Sequence, residues 1–205
     1  MKILAEYEAK KLLLKYGIPT TKFELIENEE DIKNLALNYP VVLKVSSPKI
    51  LHKTDVGGVV LNIGNIEELL KEYKKLRRKF PEEKFIVEEM EKQGVEIIAG
   101  IVNDAAFGKC VMVGMGGIFT EIYKDVAFRM LPITEKDAED MLNDLKARGI
   151  FYGYRLNLDR KALIDILLKI TKIAEETPIK QLDLNPIFLY EKGAKVIDAK
   201  IIMEE

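Results

Sequence analysis

The 205-residue sequence has one cysteine, one histidine and no surplus charge of either sign. A single thiol, Cys110, excludes an intramolecular disulfide and any zinc site built on several cysteines. Set in the apolar run from Lys109 to Val113, it reads as a buried thiol and fits a reducing cytoplasm. The 32 Lys and Arg against 34 Asp and Glu give a formal net charge of −2, so no basic field exists to hold a nucleic-acid backbone by counterion release. No apolar run approaches the ~18 residues of a membrane span. Charges within Met1 to Lys10 stand where a secretory leader needs its apolar stretch, so a protein outside both membrane and secretory route is expected. Repeats and low-complexity linkers are also lacking.

What is present is ordinary globular material, 48% hydrophobic and 32% charged, far from the regime of disorder. The length suits one unit, of two lobes at most. Lys, Glu and Ile are used heavily, with little Gln or His, a bias of proteins from hot environments that bears on stability rather than activity.

Periodicity predicts a first helix from Ala5 to Tyr16, stopped by Gly17 and Pro19. A strand at Lys22 to Ile26 follows, then a helix capped by Asn28 with Asp31 at its third position and Ile32, Leu35, Ala36 and Tyr39 inward. Val41 to Val45 and Val59 to Ile63 read as strands joined by a polar loop. Asn65, with Glu68 in capping-box register, opens a helix burying Ile66, Leu69, Leu70, Tyr73 and Leu76. Its basic stretch from Lys74 to Lys79 reads as solvated and favourable to the helix dipole.

Consecutive β-like runs then imply antiparallel pairing: Phe85 to Met90, Val95 to Val102, Val111 to Val113, Phe119 to Tyr123 and Ala127 to Leu131. Thr134 with Asp137 caps a helix to about Leu145, and Asp159 caps one to about Glu175, before strands at Gln181 to Leu184 and Lys195 to Asp198. The pattern is α/β in the α+β sense: two mixed lobes divided near Glu89 to Gly94, with residues 1–205 forming one unit. Residues 20–93 make the smaller lobe, and 94–205 the larger with helix 1–19 packed on it. A small-molecule cleft is expected between them.

Four features bear on chemistry. Gly114-Met-Gly116-Gly117 could bring backbone N–H groups to phosphate oxygens, and serves equally as a tight turn. It lacks the Gly-Lys-Ser/Thr ending of the Walker pattern, and Phe119 spoils the dinucleotide fingerprint. His52, the only imidazole, lies among Lys49, Lys53, Asp55, Gly57 and Gly58. It could act as nucleophile or proton carrier with Asp55 orienting the ring and the Lys/Gly loop stabilising a phosphoryl group, or be a surface group paired with Asp55. Asp183, Asn185 and Asp198 offer hard oxygen donors of the kind magnesium uses beside water and nucleotide phosphates, though Asn185-Pro186 is also plausible as a turn. Lys44, inside an apolar run, needs a partner, for which a phosphate is one candidate.

Taken in order, these stretches resemble the nucleotide-binding β subunits of ADP-forming acetate–CoA ligases, a family with the ATP-grasp fold. The likeness runs through Glu8 to Leu12 with Tyr16 to Pro19, Val41 to Lys44, Ser47-Pro48, His52 to Gly58, Gly114 to Phe119, Lys124 to Arg129, Asp183 to Pro186 and Asp198 to Lys200.

The resemblance implies that Lys44 contacts nucleotide phosphates, Glu88-Glu89-Met90 form the adenine hinge and Glu96 faces the ribose. Gly116, Gly117 and Arg129 would line the phosphate side, Asn185 and Asp198 would hold Mg2+, and His52 would exchange a phosphoryl group with ADP/ATP. It also implies a separate CoA-binding α subunit in an α2β2 assembly. Gln181 departs from the family's usual glutamate two residues before Asp183, which touches a contact near the metal. Two alternatives stand: a carboxylate ligase forming acyl phosphate directly, with His52 structural, and a nucleotide-sensing module without turnover.

Overall fold

The computed structural model describes residues 1–50, 52–117, 124–153 and 155–204. They form two compact units: Leu4–Glu8 with Thr21–Lys92, and Met1–Ile3 with Ala9–Thr20 and Gln93–Glu205. The division passes through the first helix, α1 (Glu6–Lys15).

The smaller unit is a four-stranded antiparallel sheet. It comprises β2 (Phe23–Ile26), β3 (Val41–Ser46), β4 (Val59–Ile63) and β5 (Lys84–Glu89), in the order β2-β5-β3-β4. Alternation on β3 and β5 sends Val41, Leu43, Val45, Phe85 and Val87 into one apolar cluster with Leu69, Tyr73 and Leu76 of α3 (Ile66–Lys79). Every residue of β3 is buried, because the other face, bearing Lys44 and Ser46, is also covered: the Tyr7 N–H donates to Ser46 Oγ at 3.1 Å.

Asn65 caps α3 through Glu68 N at 2.9 Å, but the Glu68 carboxylate accepts from Gly64 N rather than completing the box on Asn65. Within the basic stretch, Arg77 is structural instead of solvated. It donates to the carbonyls of Glu27, Pro81 and Glu83 and stacks on Tyr73 and Phe85.

The helix at Asn28 forms with its full capping box, but α2 spans only Glu29–Lys33. Ile32 is buried, whereas Ala36 and Tyr39 are exposed. Beyond Asn34 the backbone takes side-chain partners in place of helical ones: Ala36 N donates to Glu24 Oε1 and Asn38 N to Glu89 Oε1, both at 2.9 Å. Those bonds stop the helix short of the inward stripe expected to Tyr39.

Among the described residues the larger unit is a seven-stranded sheet in the order β1-β11-β9-β6-β7-β8, with β10 also on β9. The strands are β1 (Lys2–Ile3), β6 (Val95–Asp104), β7 (Gly108–Met115), β8 (Val126–Met130), β9 (Ile179–Leu189), β10 (Ala194–Val196) and β11 (Ala199–Met203). Thr134 and Asp137 form the capping box of α4 (Glu135–Asp144), and Asp159 caps α5 (Arg160–Glu176). The five apolar residues expected inward on α5, from Leu163 to Ile173, are buried against β6, β7 and β9. α1 ends at Gly17 in a Schellman pattern, with φ +70° and bonds from Gly17 N to Leu14 O and Ile18 N to Leu13 O.

Three strand readings change. Asn185-Pro186 is no turn between short strands: β9 continues to Leu189, and the pair forms a bulge in which Leu184 opposes Ala99 and Ile187 opposes Ile97. A bulge is where a strand tolerates proline's missing N–H. β1 and β11, unforeseen, close the far edge. The strand expected at 119–123 lies outside the described residues.

Candidate functional site

The sequence-derived candidates fall into two groups, one in each unit. In the smaller unit Lys44 finds its partners inside the protein. Its ammonium lies 3.1 Å from Glu6 Oε1 and 2.6 Å from Glu88 Oε1. Glu6 Oε2 is 2.5 Å from Lys53 Nζ, and the Thr21 hydroxyl donates to Glu88 Oε2. The carboxylates are 2% exposed and Lys44 6%, so two buried anions are balanced by two cations, as buried charges must be.

His52 stands exposed beside Lys53 in a closed turn. Gly58 N donates to Lys53 O at 2.7 Å and Gly57 N to Thr54 O at 2.9 Å, while Gly58 O accepts from Val45 N at 2.8 Å. The glycine pair thus closes the loop onto β3. Gly57 has φ +59°, and a Cβ on Gly58 would come 2.6 Å from Val45 Cγ1, so this turn requires both glycines. Asp55 is exposed in the same turn. Among the described residues no hydrogen bond joins its carboxylate to the His52 ring.

Glu88, Glu89 and Met90 are engaged within their own unit. Glu89 N donates to Lys22 O and Met90 N to Pro40 O. The Glu89 carboxylate, on the face opposite Glu88, accepts from the backbone and side-chain nitrogens of Asn38 at 2.9 Å. The Asn38 backbone N–H, with the Lys22 ammonium 3.4 Å away, holds the Glu89 carboxyl below the usual range against the opposing effect of desolvation.

In the larger unit Gly116, Gly117 and Glu96 come together. Gly116 N donates to Glu96 O at 2.7 Å, and a Cβ on Gly116 would lie 2.8 Å from the Glu96 backbone. Gly117 has φ +63°, and its own Cβ would meet Glu96 Oε2 at 2.9 Å. All three line a cavity of about 630 Å³ with Gln93, Gly94, Val95, Met115, Ala147 and Ile150. The wall at Ala147 is fixed by buried Asp125, whose carboxylate accepts from Lys146 N and Ala147 N at 2.7 and 2.9 Å. Arg129 does not line this cavity; its guanidinium donates to Asp144 Oδ2 at 2.6 Å.

The β9 bulge sets Asn185 across from Asp198, whose carbonyl accepts the Asn185 N–H at 3.2 Å. Asp183, opposite Lys200 in register, completes a group of three oxygen-bearing side chains. Burial pushes the Asp183 carboxyl up and Asp198 adds to this, while Lys200 pulls it down. No cage of three or more His, Cys, Asp or Glu exists among the described residues. A sparse carboxylate and amide set with two mutually repelling carboxylates fits magnesium, which leaves most of its shell to water and phosphates. Gln181 is exposed on the same strand, opposite Ile202.

Sequence reasoning passed over Glu6 and Asp125. For Glu6 a signal existed: a lysine in an apolar strand demands an anion, and the acidic first turn of α1 supplied one. Asp125 carried no such signal, since its N–H donors follow 21 and 22 residues later.

An ATP-grasp domain is matched over residues 1–203, in keeping with the antiparallel sheets and the two groups of candidate residues. The β subunit of acetate–CoA ligase (ADP-forming) I from Pyrococcus furiosus is 42% identical over 98% of this chain and 91% of that one. The chain belongs to the ATP-grasp family of ADP-forming acetate–CoA ligase β subunits. Acetate–CoA ligase (ADP-forming) II of Archaeoglobus fulgidus is 41% identical over 99% of this chain, which spans 31% of that longer protein. Among solved structures, an acetyl-coenzyme A synthetase 1 of Ca. Korarchaeum cryptofilum is 40% identical with a TM-score of 0.86, over 99% of this chain and 93% of that one. It holds coenzyme A and Mg-AMPPCP, with its phosphohistidine segment pointing towards the nucleotide binding site. Among the described residues no helix is long and apolar enough to cross a membrane.

Proposed function

We propose that this chain is the nucleotide-binding part of an ADP-forming acyl-CoA synthetase, moving a phosphoryl group between His52 and ADP/ATP. The overall reaction is acyl-CoA + ADP + phosphate ⇌ organic acid + ATP + CoA, with acetyl-CoA as the acyl donor in the first instance. The observation that carries this reading is the chain's one imidazole, exposed in a glycine-closed turn. Neutral imidazole attacks phosphorus through a ring nitrogen lone pair; the bond to the leaving oxygen breaks, and that oxygen takes the electron pair. The N-phosphate then gives the group to the terminal phosphate oxygen of ADP.

Positioning and charge stabilisation supply most catalysis of this type. Lys44, ion-paired with Glu6 and Glu88, would meet the phosphates by exchanging one of those partners, and Glu96 with the Gly116-Gly117 turn shapes the nucleotide cavity. Asn185 and Asp198, with Asp183 beside them, would hold Mg2+, which when bound offsets charge on the nucleotide phosphates. The companion is a CoA-binding α subunit in an α2β2 assembly, and the single thiol suits the cytoplasm.

The test is mass analysis without acid of the chain and its His52→Ala variant after incubation with Mg-ATP and the companion subunit. Phosphate on His52, absent from the variant, is expected. Turnover with His52 unmodified would overturn the shuttle in favour of direct acyl-phosphate formation; bound nucleotide with neither turnover nor phosphate would mark a sensor.

A further inference from the structure

Acidic residues in a helix's first turn are ordinarily explained by the macrodipole and stay in solvent. In α1 that explanation serves Glu8, which is exposed and accepts from Ala5 N at 2.9 Å. It does not serve Glu6, which is buried and directs one oxygen to each of two lysines: Oε1 to Lys44 and Oε2 to Lys53. Burying a carboxylate is unfavourable unless its partners are fixed in place. Lys53 is the residue after His52, its carbonyl closes the turn through Gly58 N, and its ammonium is held at 2.5 Å. The residue that follows His52 is therefore tied by its charged side chain to the first turn of α1.

We propose that Glu6 is a positioning residue for His52: its carboxylate, acting through Lys53, sets how the imidazole is presented. The same carboxylate touches Lys44, so the loop lysine and the buried lysine of β3 share one anion. Phosphorylation of His52 adds negative charge on the residue beside Lys53. The phosphoryl group then competes with Glu6 for that ammonium, and exchange of the ion pair releases the side-chain tether while the backbone bonds of Gly57 and Gly58 keep the turn closed. Loading the imidazole thereby loosens its tether. The role of the tether in turnover rests on the phosphoryl-shuttle reading; the tether itself does not.

His52 is the only histidine, so its imidazole Cε1–H signal in a 13C-labelled full chain reports on this loop alone. In Glu6→Gln and in Lys53→Gln the signal is expected to move to the same new position, with no further movement in the double variant. In the assembly with the companion subunit, each variant slows ATP-driven labelling of His52 by about 10- to 100-fold, the scale of a misplaced reacting group. The double variant loses no more than either single one, as expected for residues acting through one contact. In Lys53→Gln, which leaves both carboxylate partners of Lys44 in place, the nucleotide KM stays unchanged, which a defect in phosphate binding would not leave intact.

Signals that stay in place, losses that multiply, or a loss confined to KM would overturn the proposal. If Glu6→Gln does not fold, Lys53→Gln decides: an unmoved signal and an unchanged rate overturn it. Moved signals in a chain whose wild type never carries phosphate leave the tether standing and remove the shuttle; normal labelling with unmoved signals does the reverse.

Discussion

The two units treat charge in opposite ways. In the smaller one, the buried charged groups tied to the His52 loop neutralise one another: Glu6 and Glu88 against Lys44 and Lys53. In the larger one, Asp183 on β9 and Asp198 in the link between β10 and β11 stand part-exposed, close enough for the Asp198 charge to be felt by Asp183, with Lys200 as a partial counterweight. The first arrangement is complete without a ligand and serves to fix geometry. The second retains a repulsion that a divalent cation would relieve, which suits a site whose countercharge arrives with a nucleotide.

The largest expected effect tests the completeness of the first arrangement. Lys44→Met leaves two buried carboxylates short of a cation, and urea unfolding should show a loss of about 3–5 kcal/mol. A loss below about 1 kcal/mol would mean the cluster is solvated and that the contrast with the larger unit fails. Next comes Asp198→Asn, which should alter stability by no more than about 1 kcal/mol while weakening Mn2+ binding in the presence of ADP by at least about tenfold, as followed by electron paramagnetic resonance. Unchanged Mn2+ affinity would remove Asp198 from the metal site.

The smallest effect distinguishes the exposed carboxylate pairing of the smaller unit from its buried cluster. Glu89 has its carboxyl held below the ordinary value when folded. Its contribution to stability is therefore present above the unfolded carboxylate value of about 4.3 and fades as pH falls through the folded one. Glu89→Gln should melt slightly lower than wild type at neutral pH and converge with it in acid; a difference constant across pH would show that the Asn38 contacts act through shape rather than charge.

What could be read from the sequence follows from the separation of the partners. The caps at Asn28, Asn65, Thr134 and Asp159 were legible because each side chain bonds a backbone N–H two or three residues away. The stripe on α5 was legible because one helix face carries it. The Glu6 bridge was not, since its lysines lie 38 and 47 residues further on, and neither was the bond from Thr21 to Glu88, 67 residues apart. Local spacing identifies Lys44 as a charge in need of a partner and leaves the choice among all the chain's anions open. The two-residue strand β1 is too short for periodicity to reveal, and α2 ended early because distant carboxylates took over its backbone.

β1 and β11 are antiparallel neighbours, with Lys2 opposite Met203 and Ile3 opposite Ile202. β1 and β11 therefore share one edge of the larger unit's sheet, away from the exposed turn at Glu191-Lys192 between β9 and β10. A peptide inserted in that turn would leave every ladder at that edge paired, so the turn is the place where this unit should accept foreign chain without losing its sheet.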